Sequence, residues 1–212
     1  MIPTKTINPK KFFEEAIKNS IISVERTSLL HKISAQIANQ FINKKQVHLN
    51  FICTHNSRRS QLAQVWAFFA ADYFHLNIAS FSGGTAITAF HRNTIKTLQN
   101  VGFNFQLSNF SHQNPKYTIT FGNVKKTILG FSKLFDDAHN TKPYIAITTC
   151  NNADENCPFI VDALHRFHLP FVDPKKHDNT EFTSEKYMET NAQIASEIAV
   201  IFKEVSVLST EI

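Results

Sequence analysis

The chain predicts an α/β fold: a doubly wound, mainly parallel central sheet with helices on both faces, preceded by an N-terminal helical extension and carrying a β-hairpin insertion. Three observations point there. Short β-prone runs (VHLNFIC, LNIASFS, PYIAITTC) recur along the chain. Helical segments with apolar residues three or four apart alternate with them. The 212 residues are 42% apolar and 18% charged, with 20 Phe and only 5 Gly, which suits one domain with a sizeable core and excludes a disordered or collagen-like chain.

The first 46 residues read as helical, with Asn8 and Pro9 as an N-cap and first-turn pair and Leu29, Ile33, Ile37 and Phe41 recurring every fourth position. They form an extension (1–46) ahead of a catalytic domain (47–212). From Val47 a strand stops at a polar loop, and Leu62, Val65, Trp66, Phe69 and Tyr73 then mark one face of an amphipathic helix. The run LNIASFS ends at a Gly83/Gly84 break, and a helix around NTIKTLQN stops at Gly102. KYTITFG and KTILGFSKLF are expected as two strands of a hairpin around Asn123, followed by PYIAITTC and the shorter run HRFHLPFVDP. A final helix should bury Tyr187, Ile194, Ile198, Ile201 and Val205.

Charge and cysteine content narrow the function. Lys and Arg total 22 against 17 Asp and Glu, a formal charge of +5 spread over scattered pairs, so small anionic ligands are favoured and no nucleic-acid partner is expected. The sequence has no apolar run of membrane-spanning length and no signal-peptide core, so a cytoplasmic protein without a membrane partner is expected. Three cysteines, Cys53, Cys150 and Cys157, argue against a static disulfide framework and leave metal, redox or catalytic thiols. Cys53 and Cys150 both fall at carboxyl ends of predicted strands, where open α/β sheets bind ligands.

The stretch Cys53-Thr54-His55-Asn56-Ser57-Arg58-Arg59-Ser60 sets a cysteine six positions before an arginine at a strand-to-helix turn. Loop N–H groups and the helix dipole can converge there on an anion, and the same field stabilises a thiolate. Cys53 would then act as nucleophile, with the planar fork of Arg59 clamping two oxygens of a tetrahedral oxyanion. The plainer alternative is a buried strand-end cysteine beside solvated arginines.

CTHNSRRSQLAQVW resembles the oxyanion loop and first helix of the low-molecular-weight tyrosine phosphatase superfamily. The resemblance implies Cys53 as nucleophile, Arg59 as clamp, Asn56 as loop-shaping residue and Ser60 as hydroxyl donor to the thiolate, with Thr54, His55, Ser57 and Arg58 completing the substrate-binding loop. His55 stands where the family commonly has Gly, and Arg58 where many members carry a second cysteine. Downstream, CNNADENCP and the pair Asp173-Pro174 resemble the thioredoxin-coupled arsenate reductases of that superfamily, from about Val47 to Leu208.

That resemblance implies a three-cysteine cascade. Cys53 attacks arsenate while Asp173 protonates the leaving oxygen, Cys150 then forms a disulfide with Cys53 as arsenite departs, and Cys157 resolves it. It further implies no bound cofactor, with thioredoxin or a related dithiol protein as reductant. Because a disulfide needs Cα atoms about 4.4 to 6.8 Å apart, both pairings require the segment 150–157 to move. The alternatives are phosphotyrosine hydrolysis through the same Cys53, Arg59 and Asp173, a non-catalytic anion- or partner-binding module, and a zinc site from Cys150, Cys157, His165 and His168 whose cysteine spacing is wide for a knuckle. Lys175 and Lys176 follow the Asp-Pro pair where phosphatases of the superfamily carry aromatic residues. Some members bind potassium through an acidic helix residue; the matching position is Gln64, so no metal is expected. The apolar face of the extension either packs on the core or forms a homodimer.

Overall fold

The computed structural model describes residues 8–156 and 159–210. Four parallel strands, β1 (Val47–Cys53), β2 (Ile78–Gly84), β6 (Tyr144–Thr148) and β7 (Ala163–His168), lie in the order β2-β1-β6-β7. Cys53 pairs with Gly84 at the carboxyl edge of this sheet. Side chains alternate across β1 and β6. Leu49, Phe51, Ile145 and Ile147 enter the main core, whereas Ile52, Tyr144 and Ala146 join a smaller cluster holding Cys53, Cys150, Ala153 and Ile160. Helices therefore cover both faces, with α2 (Val24–Lys44), α3 (Arg59–Tyr73) and α6 (Thr183–Leu208) serving the main core and the short α5 (Asn151–Asn156) the other cluster.

The expected hairpin is present but larger. β3 (Phe103–Asn109), β4 (Lys116–Phe121) and β5 (Ile128–Gly130) form a three-stranded antiparallel sheet, with α4 (Arg92–Asn100) preceding it and Gly102 at φ 100° ending that helix. This second sheet corrects the expectation for α3. Instead of one apolar face, every residue from Ser60 to Ala71 is buried, because the helix packs on the parallel sheet, on α6 and on β5. Gly83 and Gly84 are likewise no break, since both belong to β2. A Cβ on Gly83 would fall 2.3 Å from the Phe135 Cα, and one on Gly84 would fall 2.8 Å from both Thr54 O and Asn56 N. These glycines let two backbone segments close on the end of the strand.

α1 (Pro9–Asn19) and α2 build the extension, with Asn8 Oδ1 capping Lys10 N and Ser23 Oγ capping Arg26 N. Ile33 and Ile37 are fully buried in the main core and Leu29 and Phe41 pack against it, so the apolar face of the extension is covered internally. Arg26 ties the extension to the far end of the chain. Its Nε and one NH2 donate to Glu197 Oε2 at 3.0 and 2.7 Å, NH2 also donates to Pro170 O at 2.9 Å, and the guanidinium lies 5.0 Å from the Phe171 ring centre. Glu197 is 3% exposed, so Arg26→Met strands a buried carboxylate. The expected cost is about 3 kcal/mol or more, lowering Tm by roughly ten degrees in thermal denaturation. An unchanged Tm would show the pair to be dispensable.

Candidate active site

The loop between β1 and α3 is held from several sides. Lys133 N donates to Asn56 Oδ1 at 3.0 Å, which assigns the other end of that amide as Nδ2, and Nδ2 donates to Ser60 Oγ at 2.9 Å. The Ser60 hydroxyl hydrogen is thereby left for the Cys53 sulfur, 3.0 Å away and buried. Asn56 takes φ 46°, a left-handed conformation that asparagine tolerates better than most residues. The positive φ thus falls on Asn56 and not on His55, so the missing glycine at position 55 leaves the loop unstrained. Thr85 N and Ala86 N donate to Cys53 O and Thr54 O at 3.2 and 2.8 Å, securing the loop to the end of β2.

Arg59 opens α3. One NH1 hydrogen goes to Phe171 O at 3.1 Å, NH2 pairs with Asp173 Oδ2 at 2.5 Å, and the buried Nε has no acceptor among the described residues. Asp173 Oδ1 accepts from Lys175 N at 3.0 Å and caps the 3-10 turn Pro174–His177. The clamp and the acid expected from sequence are therefore brought together across 114 residues of chain. Cys150 is buried and free, as is Cys53. Its sulfur lies 3.5 Å from Thr54 Oγ1 and accepts from Ala153 N at 3.4 Å, and Thr54 Oγ1 donates to Asn152 Oδ1 at 3.0 Å. One side chain of the loop thus spans the two cysteine segments. Cys157 lies outside the described residues.

No protein-family model matches the chain. A curated arsenate reductase of Bacillus cereus (strain Q1) is 27% identical over 140 residues, 66% of this chain and 84% of its own length. Arsenate reductase 2 of Staphylococcus haemolyticus (strain JCSC1435) is 29% identical over 142 residues, 66% of this chain and 87% of its own. The chain is similar in sequence to these arsenate reductases. The resemblance read from CTHNSRRS and CNNADENCP is thereby borne out. The solved thioredoxin-dependent arsenate reductase of Corynebacterium glutamicum superposes with a TM-score of 0.46 and 15% identity, covering 94% of this chain and 84% of that one, a likeness too distant to bear on the fold or the site.

Three loop side chains predicted to meet substrate are engaged elsewhere. Thr54 holds Asn152, Ser57 Oγ donates to Ala89 O at 2.7 Å, and Arg58 turns to a network at the start of α6. Arg58 Nε donates to Tyr187 OH at 2.6 Å and its NH2 to Asp178 Oδ2 at 2.5 Å, while Tyr187 OH donates to Asp178 Oδ1 at 2.6 Å. Arg58 is thus an anchor of the loop through its side chain, and His55 alone of these four is exposed. Sequence reasoning missed Tyr187 as a polar partner because its position fits the apolar stripe of α6, and Asp178 because it follows no motif. Gln64 is saturated. Its Nε2 donates to Ser80 O and Leu129 O at 3.4 and 3.3 Å, and its Oε1 accepts from Ser82 Oγ at 2.5 Å. Among the described residues no group of three His, Cys, Asp or Glu side chains is placed to hold a metal ion.

His91 joins the Arg58 network, with Nδ1 3.1 Å from Tyr187 OH and Nε2 3.7 Å from Asp178 Oδ2, and gives it a pH dependence. Burial, with the charge of Arg58, pushes His91 below its ordinary value of 6.5 against the pull of Asp178. Burial raises Asp178, but the Tyr187 hydroxyl and the Arg58 charge outweigh it and leave the carboxyl below 3.8. Both groups bind protons more readily in the unfolded chain, so both favour folding above their unfolded values and lose that contribution on acidification. The denaturation midpoint should fall as pH drops below about 6.5, and again below about 4. His91→Gln should flatten the first limb in urea titrations at pH 8, 6 and 5; an unaltered slope would remove His91 from the account.

Proposed function

We propose that the protein is an arsenate reductase of the cytoplasm, working through Cys53, Cys150 and Cys157 with a thioredoxin-like dithiol protein as reductant. The observation that carries this reading is the second free sulfur. Cys150 is buried in the same small apolar cluster as Cys53 and lies one hydroxyl away from the loop, an arrangement that hydrolysis alone does not need. The arsenate reductases among the relatives support it.

In the first step the Cys53 thiolate, stabilised by the Ser60 hydroxyl, forms a bond to As(V), and an arsenate oxygen leaves as water with a proton from Asp173. An oxyanion entering the Arg59 fork takes the place Asp173 holds there, freeing the carboxyl to face the leaving oxygen. Cys150 then attacks the Cys53 sulfur. The S–S bond forms as the S–As bond breaks, its electron pair stays on arsenic, and arsenite departs as As(III). Cys157 attacks Cys150, releasing the Cys53 thiolate, and the external dithiol reduces the Cys150–Cys157 disulfide. Phosphotyrosine hydrolysis would use the same first step, but exposed Lys175 and Lys176 flank the site in place of an aromatic grip.

The test is NADPH consumption coupled through thioredoxin and thioredoxin reductase, with arsenate as substrate and p-nitrophenyl phosphate hydrolysis in parallel. Arsenate-dependent consumption is expected. Hydrolysis without it would overturn the reading in favour of a phosphatase. Arg59→Lys should lower both activities by about 10² to 10³, because a point charge replaces a two-pronged donor aimed at the oxyanion. A loss below tenfold would assign oxyanion binding to the loop backbone alone.

A further inference from the structure

A cavity of about 440 Å³ separates the two sheets, bounded by the C-terminal half of α3, the edge strand β2 and the edge strand β5. No residue of the loop Cys53–Ser60 lines it. The walls are largely apolar, with Phe68, Ile78, Phe81, Leu129 and Phe131 contributing. Into this lining the sequence sets Lys133, a residue only 2% exposed. Its Nζ lies 4.7 Å from the centre of the Phe131 ring, and among the described residues it meets no carboxylate at ion-pair distance and no hydrogen-bond acceptor.

An ammonium left in this state is costly. Desolvation of a buried charge is offset only by excellent pairing, and the face of one phenyl ring accepts none of its three hydrogens in an ordinary hydrogen bond. Burial pushes Lys133 down to about 8, with Lys116 adding to the effect and Asp137 opposing it, so the group is still mostly charged at neutral pH. Nor can the residue swing away freely. Its N–H is bound to Asn56 Oδ1 at 3.0 Å and its carbonyl accepts from Gly84 N at 2.8 Å, fixing the backbone from which the side chain projects.

We propose that this cavity is a second ligand site, taking a small carboxylate with an aromatic or branched aliphatic body whose anionic group pairs with Lys133. The volume falls within the range of small-molecule pockets; Asp72, Lys126 and His139 also line the cavity, but Lys133 is the one buried charge in a lining that is otherwise mostly apolar, which is how such pockets fix orientation. No guanidinium lines the cavity, the second ammonium, Lys126, is exposed, and Asp72 disfavours a dianion, so the buried Lys133 matches one carboxylate charge and not a phosphate dianion, which needs more donors. The proposal is independent of the reductase reading, since none of Cys53, Arg59, Cys150 and Asp173 lines the cavity.

Phenylacetate and 3-phenylpropionate, each beside its neutral amide, are the probes, titrated into the full chain by 1H–15N NMR with and without saturating arsenate. At least one acid should bind saturably with Kd of about 1 mM or tighter, shifting the amides of Ile78, Phe81 and Leu129. Its amide and the Lys133→Met variant should bind about tenfold more weakly, and arsenate should not compete. Three results would overturn the proposal: neither acid saturating the site by about 10 mM, acid and amide binding alike, or arsenate displacing the acid. The acid–amide comparison needs only the unmodified chain, so it decides even where Lys133→Met fails to fold.

Discussion

Replacing Cys53 by Ser should abolish both arsenate reduction and p-nitrophenyl phosphate hydrolysis, by about 10⁴-fold or more, while leaving oxyanion binding in place. The chemistry is specific to sulfur. A thiolate can be sustained in the loop by the Ser60 hydroxyl at 3.0 Å, but a serine hydroxyl must lose its proton to a base, and among the described residues no histidine or carboxylate is hydrogen-bonded to this position. The rest of the anion site is built without Cys53. Arg59 is held by Phe171 O and Asp173, and Asn56 by Lys133 N, so arsenate or phosphate should still raise Tm in the variant by mass action. The measurement pairs turnover with thermal shift. Residual activity above about 1% would assign the nucleophile to another group, whereas loss of anion-induced stabilisation would mean that the sulfur shapes the loop as well as reacting in it.

Much of this site was legible because it is local in sequence. The order Cys53, Asn56, Arg59, Ser60 between a strand and a helix specifies a loop whose geometry follows from a few residue types: an asparagine that tolerates φ 46°, a serine that can both accept and donate, and a guanidinium at the first turn of α3. The parallel sheet was legible for the same reason where its strands are short apolar runs, as β1 and β6 are, and less so at the polar edge strand β7. What the sequence concealed depends on long separations. Lys133 buttressing Asn56, Arg58 reaching Asp178 and Tyr187, and Arg26 bracing Pro170 and Glu197 link positions 77 to 171 residues apart, and no periodicity marks them. The helix α3 misled for a related reason. Its sequence shows one apolar face, but Trp66, Phe68 and Phe69 also meet Phe103 and Phe121 of the second sheet, which the pattern between residues 103 and 130 only half announces.

Cys150→Ser should separate reduction from hydrolysis. A serine hydroxyl can keep the contacts of the Cys150 sulfur with Thr54 Oγ1 and Ala153 N, so the loop and the start of α5 should be preserved and p-nitrophenyl phosphate hydrolysis should stay within about twofold. Thioredoxin-coupled arsenate turnover should fall by about 10³ or more, because the Cys53–arsenic adduct then lacks a thiolate to take its sulfur and can only return to arsenate by hydrolysis. The next transfer sets a mechanical condition. α5 begins directly after Cys150, and a helix continued over the seven positions to Cys157 would hold the two Cα atoms about 10.5 Å apart, beyond the roughly 6.8 Å a disulfide allows. The segment must therefore unwind to pass the disulfide on, releasing the anchors Thr148 and Arg166 that grip Asp154. Exposure to arsenate without reductant should trap Cys53–Cys150 in a Cys157→Ser variant, and Cys150–Cys157 in the unmodified chain with faster amide exchange across residues 151–156. Mass spectrometry of the two disulfides, read against that exchange, distinguishes a cascade from a phosphatase that happens to carry two more cysteines.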